Sequence, residues 1–268
     1  MHIAKFTFLL SCLSTPAFAQ EDPATSSDER RADTEITFLA GADYATGDIN
    51  DQDYETTSIS AGVAVRNGPL TLSATIPYVI TSAPEELIVS QGGILATPLF
   101  ATPTSQTTTV KREGIGDLQL QAGYQLPVSE VHAVLSGSVK VPTASREAGL
   151  GSGEFDYGIS GHLSKRLGSL VPFVNAGYTV IGEPQGYEVR NTLSGSAGSH
   201  ILVGETSSVT LSYAYEQSAT EDLGDRQSVG VSLNTGLSSK LRLGLEGSAG
   251  LSADAPDARV GLRLGLGF

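Results

Sequence analysis

The chain has no tryptophan and only one cysteine and one methionine among its 268 residues. A single cysteine excludes an internal disulfide framework. Four histidines with no close spacing to each other or to the cysteine do not make a zinc set. Basic residues are scarce: 16 Lys and Arg against 29 Asp and Glu give a net charge of −13, which argues against nucleic acid as a partner. Long apolar runs are missing too. Beyond the first 19 residues nothing approaches the roughly 18 apolar residues of a membrane-spanning helix. Gly149–Gly153 is glycine-rich but opens a strand pattern and lacks a following Lys-Ser/Thr, so it is no phosphate loop.

What is present begins with Met1 to Ala19, MHIAKFTFLLSCLSTPAFA. Lys5, the apolar run Phe6 to Leu13 and the small-x-small Ala17-Phe18-Ala19 read as a secretory signal peptide cleaved before Gln20. Leu9-Leu10-Ser11-Cys12 loosely matches a lipidation box, but the apolar run before Cys12 is short for it. Cleavage after Ala19 removes Cys12 and Lys5. It leaves 15 basic against 29 acidic residues, a net charge of −14. Residues 20–32 (QEDPATSSDERRA) are polar, without an apolar period, and read as a flexible periplasmic tail.

The other end is patterned. In Asp257 to Phe268 (DARVGLRLGLGF), Val260, Leu262, Leu264, Leu266 and Phe268 alternate with Gly261, Arg263, Gly265 and Gly267. A strand sends successive side chains to opposite faces, so one face is apolar throughout. Phe268 is in phase with it. A last strand of this kind resembles the closing strand of bacterial outer-membrane barrels, whose terminal Phe serves as an assembly signal. Alternation alone also fits a half-buried strand of a soluble sandwich.

The same alternation recurs along the chain, giving twelve strands at about 33–46, 54–66, 70–81, 114–126, 131–141, 154–166, 170–181, 187–203, 208–218, 226–237, 240–252 and 257–268. Connections alternate between short turns, such as Asn67-Gly68-Pro69 and Leu167-Gly168-Ser169, and longer loops. A sandwich does not explain that asymmetry; an outer-membrane barrel with short periplasmic turns does. A membrane-spanning sheet must also close, because edge groups have no water to bond in hydrocarbon. The expected fold is therefore all-β: a closed, antiparallel, up-and-down transmembrane barrel over residues 33–268. Its even strand number places both termini in the periplasm.

Gly114–Leu126 (GIGDLQLQAGYQL) and Ser138–Pro184, with VKVPTA, GLGSGEFDYGISGHLSKRL and PFVNAGYTVIGEP, resemble the outer-membrane family labelled for the MetA-pathway of phenol degradation. The carriers are Gly114, Gly116 and Asp117, then Lys140, Pro142 and Thr143, then Gly151, Gly153 and Asp156. The resemblance implies an outer-membrane channel-like protein for small, often aromatic or hydrophobic compounds, with no catalytic residue to carry over. The absent tryptophan and the many small residues on apolar faces thin the aromatic girdle such barrels usually carry.

On the polar faces, Asp117, Lys140, Asp156, His162, Glu216, Arg242, Glu246 and Arg263 are expected to line the lumen. They read either as a charged constriction or as salt bridges propping the wall. Arg242, Glu246 and Arg263, on neighbouring strands, favour the second. The long segment 82–113 is the other candidate. Leu87, Ile88, Val89, Ile94, Leu95, Leu99 and Phe100 make it too apolar for a free surface loop, so it reads as a hydrophobic capture site, a lid or a hairpin extension. A lipid-modifying enzyme would need Ser or Asp with His near the outer leaflet, whereas His132, His162 and His200 fall toward the periplasmic turns. A structural or adhesive barrel is the third class. The expected partners are outer-membrane lipid, the barrel-assembly machinery and a small-molecule solute. No enzyme activity, metal or cofactor is expected.

Overall fold

A computed structural model describes residues 34–49, 52–85, 108–184 and 188–268. The expected signal peptide and tail, and all seven apolar residues from Leu87 to Phe100 in the long segment, lie outside them. The strands are β1 (Glu35–Ile49), β2 (Gln52–Asn67), β3 (Leu70–Pro84), β4 (Thr109–Ile115), β5 (Leu118–Gln125), β6 (His132–Val141) and β7 (Asp156–Ser164). They continue with β8 (Leu170–Val180), β9 (Thr192–Val203), β10 (Ser207–Glu216), β11 (Arg226–Gly236), β12 (Leu241–Gly250) and β13 (Ala258–Gly267).

Each strand pairs antiparallel with its chain neighbour, and the ends meet: Thr37↔Gly267 through Thr46↔Ala258 join β1 to β13 and close the barrel. β4 and β5 are two halves of one stave. β3 pairs with β5 at Leu70↔Tyr124 and with β4 at Tyr78↔Ile115. The wall therefore has twelve staves.

Pleat parity sorts the side chains. Phe38, Ile59, Leu72, Tyr157, Leu211, Val231 and Leu264 point outward and are exposed. Thr37, Asp43, Ser58, Thr71, Ser136, Thr210 and Ser228 point inward and are buried. Apolar-out, polar-in alternation is what a wall between lipid and a polar interior requires. Short turns lie at one end with the start of β1 and the end of β13, the turn end. Gly68, Gly168 and Gly204 take positive φ there (56°, 67° and 68°), which an L side chain enters only with strain. Longer connections lie at the opposite, loop end.

Three boundaries differ from the sequence expectation. The fourth strand begins earlier, at Thr109, and breaks at Gly116-Asp117, because Asp117 turns its carboxylate to the loop that follows β6. The first connection, expected to be long, shrinks because β1 and β2 pair out to Ile49↔Gln52. The eighth expected strand starts only at Thr192: the Arg190 amide bonds Ala219 O and the Asn191 side chain accepts from Ile181 N, so this stretch serves loop contacts rather than the ladder. At the loop end Ile49, Tyr54, Ala83 and Leu223 form a small apolar cluster.

Candidate functional site in the barrel interior

The barrel holds its inward charges in separate groups. The first lies toward the loop end. Lys140 Nζ sits 2.6 Å from Asp156 Oδ2 and 3.7 Å from Asp117 Oδ2, and donates to Ser152 Oγ at 3.0 Å. All four residues are buried. Lys140 and Asp156 face each other across β6 and β7 in register. Asp117 comes from the break between β4 and β5, and its Oδ1 accepts from Ala144 N at 3.0 Å. Asp156 Oδ1 accepts from Gly182 N at 2.9 Å. The three motifs of the sequence thus meet at one point. Thr143 completes it: its hydroxyl donates to Gly116 O at 2.8 Å and accepts from Leu118 N at 2.9 Å, bridging the two backbone groups on either side of the strand break. The β6–β7 loop is drawn inward by these bonds, so that Leu150 packs on Val79 and Ala144. A Cβ on Gly151 would stand 2.7 Å from Ala144 Cβ and 3.0 Å from both Asp117 carboxylate oxygens, so this motif glycine is required by close approach.

The second group is at mid-height on β1, β12 and β13. Arg263 Nη2 lies 2.6 Å from Asp43 Oδ1 and 2.9 Å from Glu246 Oε1; Arg259 Nη2 lies 2.8 Å from the same Asp43 oxygen and 3.6 Å from Glu246. The two arginines and two acids balance. The third pair, Glu216 and Arg226, 2.7 Å apart, ends β10 and opens β11 at the loop end. Arg242 lies in register with Gly265, two positions toward the turn end from the Gly244–Arg263 pair, and Glu35 and Arg66 are charges acting on it.

The fourth group is aromatic and close to the turn end. His132 on β6, His162 on β7, Phe173 on β8 and His200 on β9 form a row across four strands. Ring centroids are 5.9 Å apart for His132–His162, 6.2 Å for His162–Phe173 and 4.7 Å for Phe173–His200. The last two pairs are stacked, with interplanar angles of 23° and 24°. Hydrogen bonds hold the rings. Because the Asn175 carbonyl oxygen can only accept, His162 Nδ1 donates to it, at 2.6 Å. His162 Nε2 lies 3.1 Å from Ser164 Oγ, Asn175 Nδ2 donates to Ser196 Oγ at 2.8 Å, and His200 Nδ1 shares a 2.7 Å bond with Thr210 Oγ1. Among the described residues no group of three or more His, Cys, Asp or Glu is arranged to hold a metal ion.

The structure therefore places Asp117, Lys140 and Asp156 together, Glu246 with Arg263, and His162 with the other two turn-end histidines. Asp43, Arg259, Arg226, Ser152 and Phe173 are residues that the sequence pattern does not single out. Asp43 and Arg259 carry a signal: each is in phase with the inward face of its strand, Arg259 with Arg263 four residues on. Phe173 carries the opposite signal, an aromatic on a polar face.

The family model described as "Putative MetA-pathway of phenol degradation" matches residues 33–266. No curated protein matches the chain by sequence. Among solved structures, the crystal structure of an outer-membrane channel from Pseudomonas putida F1 is similar at a TM-score of 0.64 and 15% identity, over 93% of this chain and 100% of that one. The translocator domain of the autotransporter NalP from Neisseria meningitidis scores 0.49 at 12% identity, over 90% of each chain. The CymD monoaromatic hydrocarbon channel scores 0.45 at 9% identity, over 89% of each. A barrel closed by β1 and β13, apolar outside and polar inside, and the match over residues 33–266 lead to one assignment: the chain belongs to the family described as the MetA-pathway of phenol degradation and is an outer-membrane β-barrel.

Proposed function

We propose that this barrel is a passive outer-membrane channel for small, uncharged aromatic or hydrophobic compounds. The observation that carries the reading is the pairing of the interior charges. Asp43 and Glu246 balance Arg259 and Arg263, Glu216 balances Arg226, and Lys140 sits against Asp156 and Asp117. An ion-selecting constriction needs a ring of one sign. Charges neutralised across neighbouring strands instead leave a weak field, which suits uncharged solutes. The phenol pathway in the family's description supports the same class of solute.

The apolar residues Leu87, Ile88, Val89, Ile94, Leu95, Leu99 and Phe100, though outside the described residues, are proposed to capture the solute at the mouth, since a large apolar patch marks a binding surface. The barrel-assembly machinery is proposed to recognise the strand ending in Phe268.

The test is planar-bilayer recording and uptake with the full refolded chain. The expected result is ion steps together with faster entry of aromatic compounds than of sugars of equal size. Deleting residues 87–100 should lower the aromatic-to-sugar ratio and leave the barrel folded. Lipid release without conductance would assign a lipid-modifying enzyme instead, and silence in both assays would assign a structural barrel.

A further inference from the structure

The geometry points to the row His162–Phe173–His200, with His132 at its end, as a binding site where one planar aromatic ring rests inside the barrel near the turn end. This rests on the channel reading above and names the residues that would contact the solute.

Three observations carry it. The first is that Phe173 breaks the rule of its own wall. On the described strands every other Phe and Tyr except Tyr54 points outward, and Tyr54 is buried in the apolar cluster at the loop end. Phe173 lies on the inward face of β8, in phase with Asn175 and Val171. It is half-buried, as is His200, so part of each ring is open to the interior. An apolar ring turned into a polar lumen gives up burial against lipid, which needs a compensating use.

The second is that the rings are held in place. His162 is fixed through Asn175 and Ser164, and His200 through Thr210. Phe173 lies over Gly198, its directly opposed neighbour on β9. A Cβ on that glycine would come within 2.8 Å of Phe173 Cζ and would also clash with Leu211 O. A site whose rings are already ordered loses little conformational freedom when a ligand arrives.

The third is position. β7 lies six staves from β13 whichever way the wall is followed, so by strand order the aromatic row faces the side carrying Arg259 and Arg263. The charged residues are tied to one another there, while the aromatic row presents its π surface at the turn end of β6 to β9, at the opposite end of these strands from the paired Lys140 and Asp156. Stacked or edge-to-face contacts at 4.5–7 Å between centroids are the geometry such a surface offers to a neutral ring.

The experiment uses phenol and cyclohexanol, alike in size and hydroxyl but differing in the π system. Binding is read by NMR line broadening of each solute on titration with the full barrel in lipid nanodiscs, against empty nanodiscs. Wild type should bind phenol saturably and more tightly than cyclohexanol. Phe173→Leu keeps an apolar side chain and should weaken phenol about fivefold while changing cyclohexanol little. His200→Asn should also weaken phenol. Tyr178→Leu, on the outward face of the same strand, should change neither. Heat-modifiable migration of each variant reports folding; if Phe173→Leu does not fold, His200→Asn decides the matter alone. Equal phenol binding by wild type and folded row variants, or no preference of wild type for phenol, overturns the site. Aromatic-selective uptake that persists in those variants would leave the channel reading standing, and its absence in wild type would remove that reading.

Discussion

Lys140 and Asp156 face each other across two neighbouring strands with 2.6 Å between ammonium and carboxylate, both almost wholly buried. The pair does not stand alone: Lys140 donates to Ser152 Oγ, Asp156 accepts from the Gly182 amide, and Asp117, which accepts from the Ala144 amide, lies 3.7 Å from the same ammonium. Residues whose sequence pattern allows either a charged constriction or a wall-propping salt bridge are here bonded to the β6–β7 loop, through the Ala144 amide and Ser152. Lys140→Ala would leave two carboxylates facing each other without a cation. The expected loss is on the order of 3–5 kcal/mol, read as a fall in the urea midpoint of the folded barrel in detergent. Adding Asp117→Asn and Asp156→Asn to Lys140→Met should recover much of it, since removing all the charges together avoids the unpaired state.

Thr143 offers a finer test of the same region. Its hydroxyl serves the two backbone groups flanking the break between β4 and β5. Thr143→Val keeps the shape and removes both bonds. The expected cost is about 0.5–1.5 kcal/mol, since Thr143 is exposed and water can reach the freed groups, measured by the same unfolding curve. Faster amide exchange at Leu118 should accompany it.

Asp43 holds two arginines at once. Asp43→Asn removes one of the two acids that balance Arg259 and Arg263. The interior should become net positive at mid-height and shift ion preference toward anions, seen as a change in reversal potential under a salt gradient. Stability should fall as well, because both arginines remain buried with less compensation.

Phe268 packs edge-on against Phe38, with centroids 5.5 Å apart, and its amide donates to Ile36 O at 2.9 Å. Lys240 Nζ lies 5.6 Å from the centre of its ring. The residue is 63% exposed. Phe268→Ala should therefore cost only about 0.5–1.5 kcal/mol in a folded barrel. If the terminal ring is the assembly signal, the amount of assembled barrel in cells should fall far more than that. Unchanged outer-membrane levels would assign Phe268 to packing alone.

The β10–β11 loop carries a pH-sensitive contact. The Tyr215 hydroxyl donates to Asp225 Oδ2 at 2.6 Å, and the Ser218 amide and Arg190 add to the field at that carboxylate. Together they hold the Asp225 carboxyl below its ordinary range, with the tyrosine bond the largest cause. A carboxyl whose pKa is lower in the folded state stabilises it above the unfolded pKa, near 3.9, and loses that contribution as pH falls through the folded value. Protease cleavage of this loop should rise below about pH 4. In Asp225→Asn it should be raised already at neutral pH and no longer respond to acid in that range.

Alternation of apolar and polar residues at every second position is a local property, so it is legible along the chain from Asp33 to Phe268. It assigns the outward and inward faces and marks twelve staves, and only together with the separate alternation of short turns and longer loops does it point to a barrel rather than a sandwich. It does not say which inward charges meet, because that depends on register between strands that are distant in sequence. Asp43 and Arg263 are 220 residues apart and touch only because β1 pairs with β13. Arg263 is directly opposed by Gly244 and Arg242 by Gly265, a register that a side-chain period of two does not encode. The break at Asp117, the inward loop it holds and the stacking of Phe173 on His200 are likewise consequences of register between paired strands: a flat sequence pattern assigns a face, and only the registered wall assigns a neighbour.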